Sequence, residues 1–189
     1  MRLASVVIAC ALAAVLAACG GSGSGTTPSP GKTAQQYVAG ACTAMTAWGQ
    51  DIKSDVTELQ TKVANAPDLS ARKQVFVDFT KQLSGTTDTL VSSLHGLGAP
   101  AVEGGAAVHQ QIVGAFESVQ STLQDAEQKA EALPTDDAAG FKTQVNAIGT
   151  EIGGIGNTFN SVGNLKNAAL DSAFNRDATC QKMQTIFSS

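Results

Sequence analysis

YVAGACTAMTAWGQDIKSDVTELQTKV, residues 37–63, decides the fold. Its apolar residues fall at Tyr37, Ala41, Met45, Trp48, Ile52, Val56, Leu59 and Val63, with spacings of 4, 4, 3, 4, 4, 3 and 4. A helix turns by about 100° per residue, so this spacing keeps one apolar stripe on one face, whereas a half-buried strand would alternate with period two. Asn65-Ala66-Pro67-Asp68 then breaks the pattern.

The same rhythm recurs three more times. A second segment carries Phe76, Phe79, Leu83, Leu90 and Leu94, with Thr86 or Thr87 filling the missing turn. Gly85 weakens it by roughly 1 kcal/mol relative to alanine. Gly96, Gly98 and Pro100 supply a glycine stop followed by a proline. The third segment, Ile112, Phe116, Val119, Leu123, Ala126, Ala130 and Leu133, stops at Pro134. Thr135-Asp136-Asp137 then offers a cap and negative charge to the next helix. The fourth carries Phe141, Val145, Ile148, Ile152, Ile155, Phe159 and Val162. No stretch from Lys32 onward alternates with period two, so the class is all-α. Four amphipathic helices with short joints imply an antiparallel up-down-up-down four-helix bundle over residues 32–189. Leu170, Phe174, Met183, Ile186 and Phe187 make residues 164–189 a C-terminal helical tail.

Ahead of this domain the composition changes twice. Arg2 is followed by an almost wholly apolar run to Ala18, the layout of a secretory signal peptide over residues 1–18. Residues 20–31 read GGSGSGTTPSPG, a flexible tether by composition. The ending Leu16-Ala17-Ala18-Cys19 resembles the bacterial lipobox. By that resemblance Cys19 becomes the mature N-terminus, joined to diacylglycerol and palmitate-like acyl chains. Each buried CH₂ adds about 0.8 kcal/mol, so two or three chains hold a protein to a bilayer durably. The implied location is the outer face of the cell membrane, in the cell envelope. In composition and layout the chain is similar to small actinobacterial and mycobacterial helical lipoproteins of unassigned role.

Export bears on the cysteines. Cys10 leaves with the signal and Cys19 is taken by lipid, which leaves Cys42 and Cys180 as an even pair in an oxidising setting. A Cys42–Cys180 disulfide is the expectation, with two separate buried thiols as the alternative. The antiparallel order places both at one end of the bundle. Closing so long a loop is worth roughly 5 kcal/mol in the chain-entropy model.

Charge excludes some partners. The formal net charge is −4 and becomes −5 once Arg2 is lost, with the charges scattered. Neither a nucleic-acid surface nor a polybasic lipid patch follows from that. Glu-x-x-His pairs of the kind that hold metals in bundles do not occur, and His95 and His109 have no ligand partner at helical spacing. Both histidines read as surface or packing residues. No nucleophile motif and no phosphate loop is present, so no metal, no cofactor and no enzymatic activity is expected. Trp48 reads as a core anchor.

One face of the fourth segment stands out. Gly149, Gly153, Gly156 and Gly163 flank its apolar stripe, and Asn157, Asn160, Asn164 and Asn167 lie just beyond. Helix-interior glycine costs up to about 1 kcal/mol each. Two readings explain that cost: close approach of a neighbouring helix, or a groove of Gly149, Gly153, Gly156, Asn157, Asn160, Gly163 and Asn164 that receives a ligand or partner helix. Two functions stay open accordingly. One is a non-catalytic interaction or scaffold module for an envelope protein; the other is a carrier or sensor of a small amphiphilic, lipid-like ligand between the helices. A packed interior would favour the first and an apolar cavity near the fourth helix the second.

Overall fold

The computed structural model describes residues 31–163 and 165–187. Residues 1–30, with Cys19, and Asn164 lie outside the described residues, as do the side chains of Asn157 and Asn160 and the surroundings of Gly163. Among the described residues all regular structure is helical: α1 (Ala34–Asn65), α2 (Leu69–Leu97), α3 (Gly105–Glu131), α4 (Ala138–Gly163), α5 (Ala168–Arg176) and α6 (Ala178–Phe187). The four long helices sit where the apolar rhythm places them, and the tail divides into two short ones.

Side chains cap several of the starts, whereas α3 begins at Gly104 without one. Thr33 Oγ1 accepts from the Gln36 amide while Gln36 Oε1 accepts from the Thr33 amide, a capping box on α1. Asp68 caps α2 through the Ala71 amide and Asn167 caps α5 through Leu170. Asp177 Oδ1 accepts from the amides of Thr179 and Cys180 at the start of α6. Gly98, at φ 64°, adopts the positive φ that ends α2 without the Cβ clash another residue would suffer.

By their side-chain bonds α1 and α2 run in opposite directions, as do α2 and α3. Trp48 and Asp55 of α1 bond Thr87 and Gln82 of α2 respectively, so one index rises as the other falls. Between α2 and α3, Asp88 accepts from Gln120, whereas Lys81 reaches Glu131 at 3.0 Å. Lys129 of α3 pairs with Glu151 of α4. These exposed ion pairs contribute little stability; they mark the register.

The core fills in three layers. Phe116, Leu94, Ile112, Leu90 and Trp48 form the largest with Leu170, Ala173 and Cys180 of the tail. Leu83, Val119 and Leu123 form the middle layer, with Ile52, Ile152 and Ile155 against it. Val77, Ala126, Ala130, Leu133, Phe141 and Ile148 form the third. Phe116, Ala126 and Ala130 are fully buried.

The tail takes a place that the long helices alone would have given to α4. The packed partners of α1 are α2, α5 and α6, while α4 packs on α3. Asp177 Oδ2 accepts from Gln35 Nε2, and Cys180 is bonded to Cys42 with a Cα–Cα separation of 5.0 Å. α6 therefore runs alongside the first half of α1, in the same direction. A simple period rule cannot foresee this, because an apolar stripe states that something covers it and not which helix does.

Candidate functional site

Three places combine polarity, burial or an open face. At the start of α1, Tyr37 is 2% exposed, and its hydroxyl lies 3.1 Å from Nδ1 of His109 on α3. The two rings meet edge to face at 5.7 Å. Burial pushes the Tyr37 hydroxyl up to about 12. Burial, followed by the charge of His95, holds His109 below its usual value. Tyr37 thus keeps its proton at neutral pH, and the His109 tautomer decides which of the two groups donates. This is a satisfied packing histidine. His95 is exposed and sits 3.0 Å from Glu117 Oε1.

Along the outer side of the α1–α2 pair runs an open groove of about 370 Å³. Its floor is Ala44, Ala47, Trp48, Gly85 and Leu90, and its rim includes Asp51, Gln82, Thr86, Thr89 and Ser93. Trp48 lies beneath it, 4% exposed, donating through Nε1 to Thr87 Oγ1 at 3.1 Å and meeting Phe116 edge to face. The sequence marks this groove through small residues on both sides, Ala44 and Ala47 against Gly85. The apolar rhythm passes over that signal, since it weighs only large side chains. Just below, Asp55 is 5% exposed; Oδ1 accepts from Gln82 Nε2 at 2.6 Å, and Oδ2 is buried without a hydrogen-bond partner. Burial, then Asp51 and Glu58, push its carboxyl above the usual range.

The third place is the glycine flank of α4. Gly149, Gly153 and Gly156 are exposed, and a Cβ built on any of them meets no described atom within 4 Å. Among the described residues no neighbouring helix approaches these glycines. Gly163 ends the helix; Asn157 and Asn160 are in its last turns. On α1, Val56 is the exposed large hydrophobe of the described residues, at 39%.

Among the described residues no three His, Cys, Asp or Glu side chains come together as a metal site. No described residue of α4 lines the groove or a pocket of about 10 Å³ beside Asp55. No described helix is long and apolar enough to cross a membrane. Comparison with protein-family models, curated proteins and solved structures finds no match to this chain.

Proposed function

We propose that this chain is a membrane-anchored cell-envelope lipoprotein whose helical domain is a non-catalytic protein-interaction or scaffold module. The observation that carries the interaction reading is where the open volume lies. The interior is filled by Leu94, Phe116, Leu123, Ala126, Ala130 and Leu133, each no more than 1% exposed, and the sizeable concavity opens outward between α1 and α2. A carrier of amphiphiles needs volume between its helices, typically about 300 Å³ or more and largely enclosed. The Leu16-Ala17-Ala18-Cys19 ending supports lipid attachment at Cys19, and with it placement at the outer face of the cell membrane. In this proposal the four long helices form an up-down-up-down antiparallel bundle that α5 and α6 complete against α1.

Two measurements test it. Growth with a clickable palmitate analogue labels the full chain, and Cys19→Ala abolishes the label; persistent labelling of that variant overturns the anchor. Native mass spectrometry of the chain produced with an oxidised Cys42–Cys180 pair gives a bare mass on this proposal. An amphiphile that copurifies and is shed on activation overturns it in favour of a carrier.

A further inference from the structure

Resting on the interaction-module reading, we infer that the lower end of the α1–α2 groove, at Asp51, Asp55 and Gln82, receives the ammonium group of a lysine from a partner protein. The observation that calls for a ligand is one oxygen atom. Asp55 is 5% exposed, Gln82 Nε2 satisfies its Oδ1 at 2.6 Å, and its Oδ2 is buried with no hydrogen-bond partner. A buried carboxylate oxygen left unpaired costs the fold stability, which a ligand that pairs it offsets. Asp55 lines the recess of about 10 Å³. Gln82 lines both that recess and the groove, so the two spaces adjoin at its amide.

Size and charge at this end select the group. The recess has room for about one water-sized particle. An ammonium is that compact. A guanidinium is a planar fork suited to two carboxylate oxygens, and Gln82 already holds one of the two at Asp55. A metal ion would lack ligands, since no three His, Cys, Asp or Glu side chains of the described residues come together there. Asp51, one turn before Asp55 on α1, lines the groove, and its charge adds to the rise of the Asp55 carboxyl. Asp55 Oδ2, the Asp51 carboxylate and Gln82 Oε1 are acceptors for the three N–H donors of an ammonium. The lysines of this end are engaged: Lys62 bonds Glu58 at 2.7 Å, and Lys81 bonds Glu131 of α3 at 3.0 Å. Lys53 falls on the opposite face of α1. Asp78 of α2 also acts on Lys62 and Lys81, so the charge left over at this end is negative. Beyond it Ala44, Ala47 and Trp48 give apolar cover to a lysine stem and its neighbours.

The test uses the full chain in neutral detergent, with n-butylammonium, the side chain of lysine without its backbone, as the probe. Trp48 is the single tryptophan of the chain and lies beneath the groove, so its fluorescence reports occupancy. A saturable change is expected, weakened about tenfold by Asp55→Asn. Neither n-propylguanidinium, n-butanol nor an equal concentration of sodium chloride is expected to reproduce it. In cells a carbodiimide, which condenses a carboxylate with an amine in reach, is expected to join Asp51 to a lysine of one partner protein. Asp51→Asn removes that product, and Asp55→Asn lowers it about tenfold without lowering the melting temperature. No response to n-butylammonium overturns the inference, as does an equal response to n-propylguanidinium. Attachment of Asp51 to Lys62 or Lys81 overturns it, since the chain then fills its own site; attachment to a lipid amine overturns it too. A partner captured by p-benzoylphenylalanine in place of Thr86, with no response to n-butylammonium, overturns it while leaving the interaction module standing. No protein adduct by either chemistry overturns both.

Discussion

The Tyr37 hydroxyl and Nδ1 of His109 lie 3.1 Å apart, a hydrogen bond that joins the first turns of α1 and α3. Because His109 is held below 6.5 in the fold, the unfolded chain takes up the proton more readily. Its contribution to stability is intact above about pH 6.5 and is lost as pH falls from there toward the folded value. Melting temperature measured from neutral to about pH 5 is expected to fall less steeply in His109→Gln, which keeps an acceptor and does not titrate. Tyr37 acts at the other extreme: with its hydroxyl at about 12, its contribution is whole below 10 and declines as pH rises through that interval. Tyr37→Phe is expected to cost about 1 kcal/mol at neutral pH.

Asp55 carries the opposite sign. Its carboxyl is raised in the fold, so it stabilises least once pH has risen through the folded value and the buried Oδ2 is charged. Asp55→Asn keeps the acceptor for Gln82 and removes that charge. It is expected to stabilise by about 1 kcal/mol at neutral pH, with the gain shrinking toward acid in urea titrations. A loss of stability at neutral pH would show instead that the charge is compensated.

Glycines separate into two kinds by what a methyl group would meet. At Gly149 and Gly153 nothing lies within 4 Å, so Ala substitutions are expected to stabilise, by up to about 1 kcal/mol each, through helix propensity alone. At Gly105 a Cβ would lie 2.5 Å from the Pro100 carbonyl oxygen, a backbone atom that cannot step aside. Gly105→Ala is expected to destabilise by about 1–3 kcal/mol, the range for overpacking. Thermal melts of the three variants distinguish an open flank from a packed one.

The Cys42–Cys180 bond fastens α6 to α1 across a sequence separation of 138 residues. Replacing both cysteines by alanine is expected to cost about 2–5 kcal/mol. The loss should be uneven: amide exchange is expected to accelerate first in α6, a helix of 10 residues that cannot hold itself together in water. Uniform acceleration through α3 would contradict that.

Much of this was legible in the chain. Pro67, Gly98 and Pro134 stand at the joints, and Cys42 and Cys180 are paired. The Thr33–Gln36 capping box was also present in the letters, three residues apart, at a start that the apolar rhythm alone leaves vague. Other features depend on contacts between distant segments. Nothing near Val56 states that α6 ends a turn or two above it, and the stripe looks the same whether covered or bare. Gly149 and Gly153 are equally silent: glycine suits a tight crossing and an empty flank alike, and the position of the neighbour decides. Asp55 hides among exposed acids because one turn of phase separates the α2-facing flank from water.

At the head of the fold, the Ala101 amide donates to the Lys32 carbonyl and Lys32 Nζ donates to the Leu97 carbonyl, pinning the start of the domain to the α2–α3 connection. Any pull arriving along the preceding residues is therefore shared at once between two helices. Peeling of α1 can proceed only as far as Cys42, where a covalent link passes the load to α6. Tension on this chain is met within residues 31–42, ahead of the middle and far core layers.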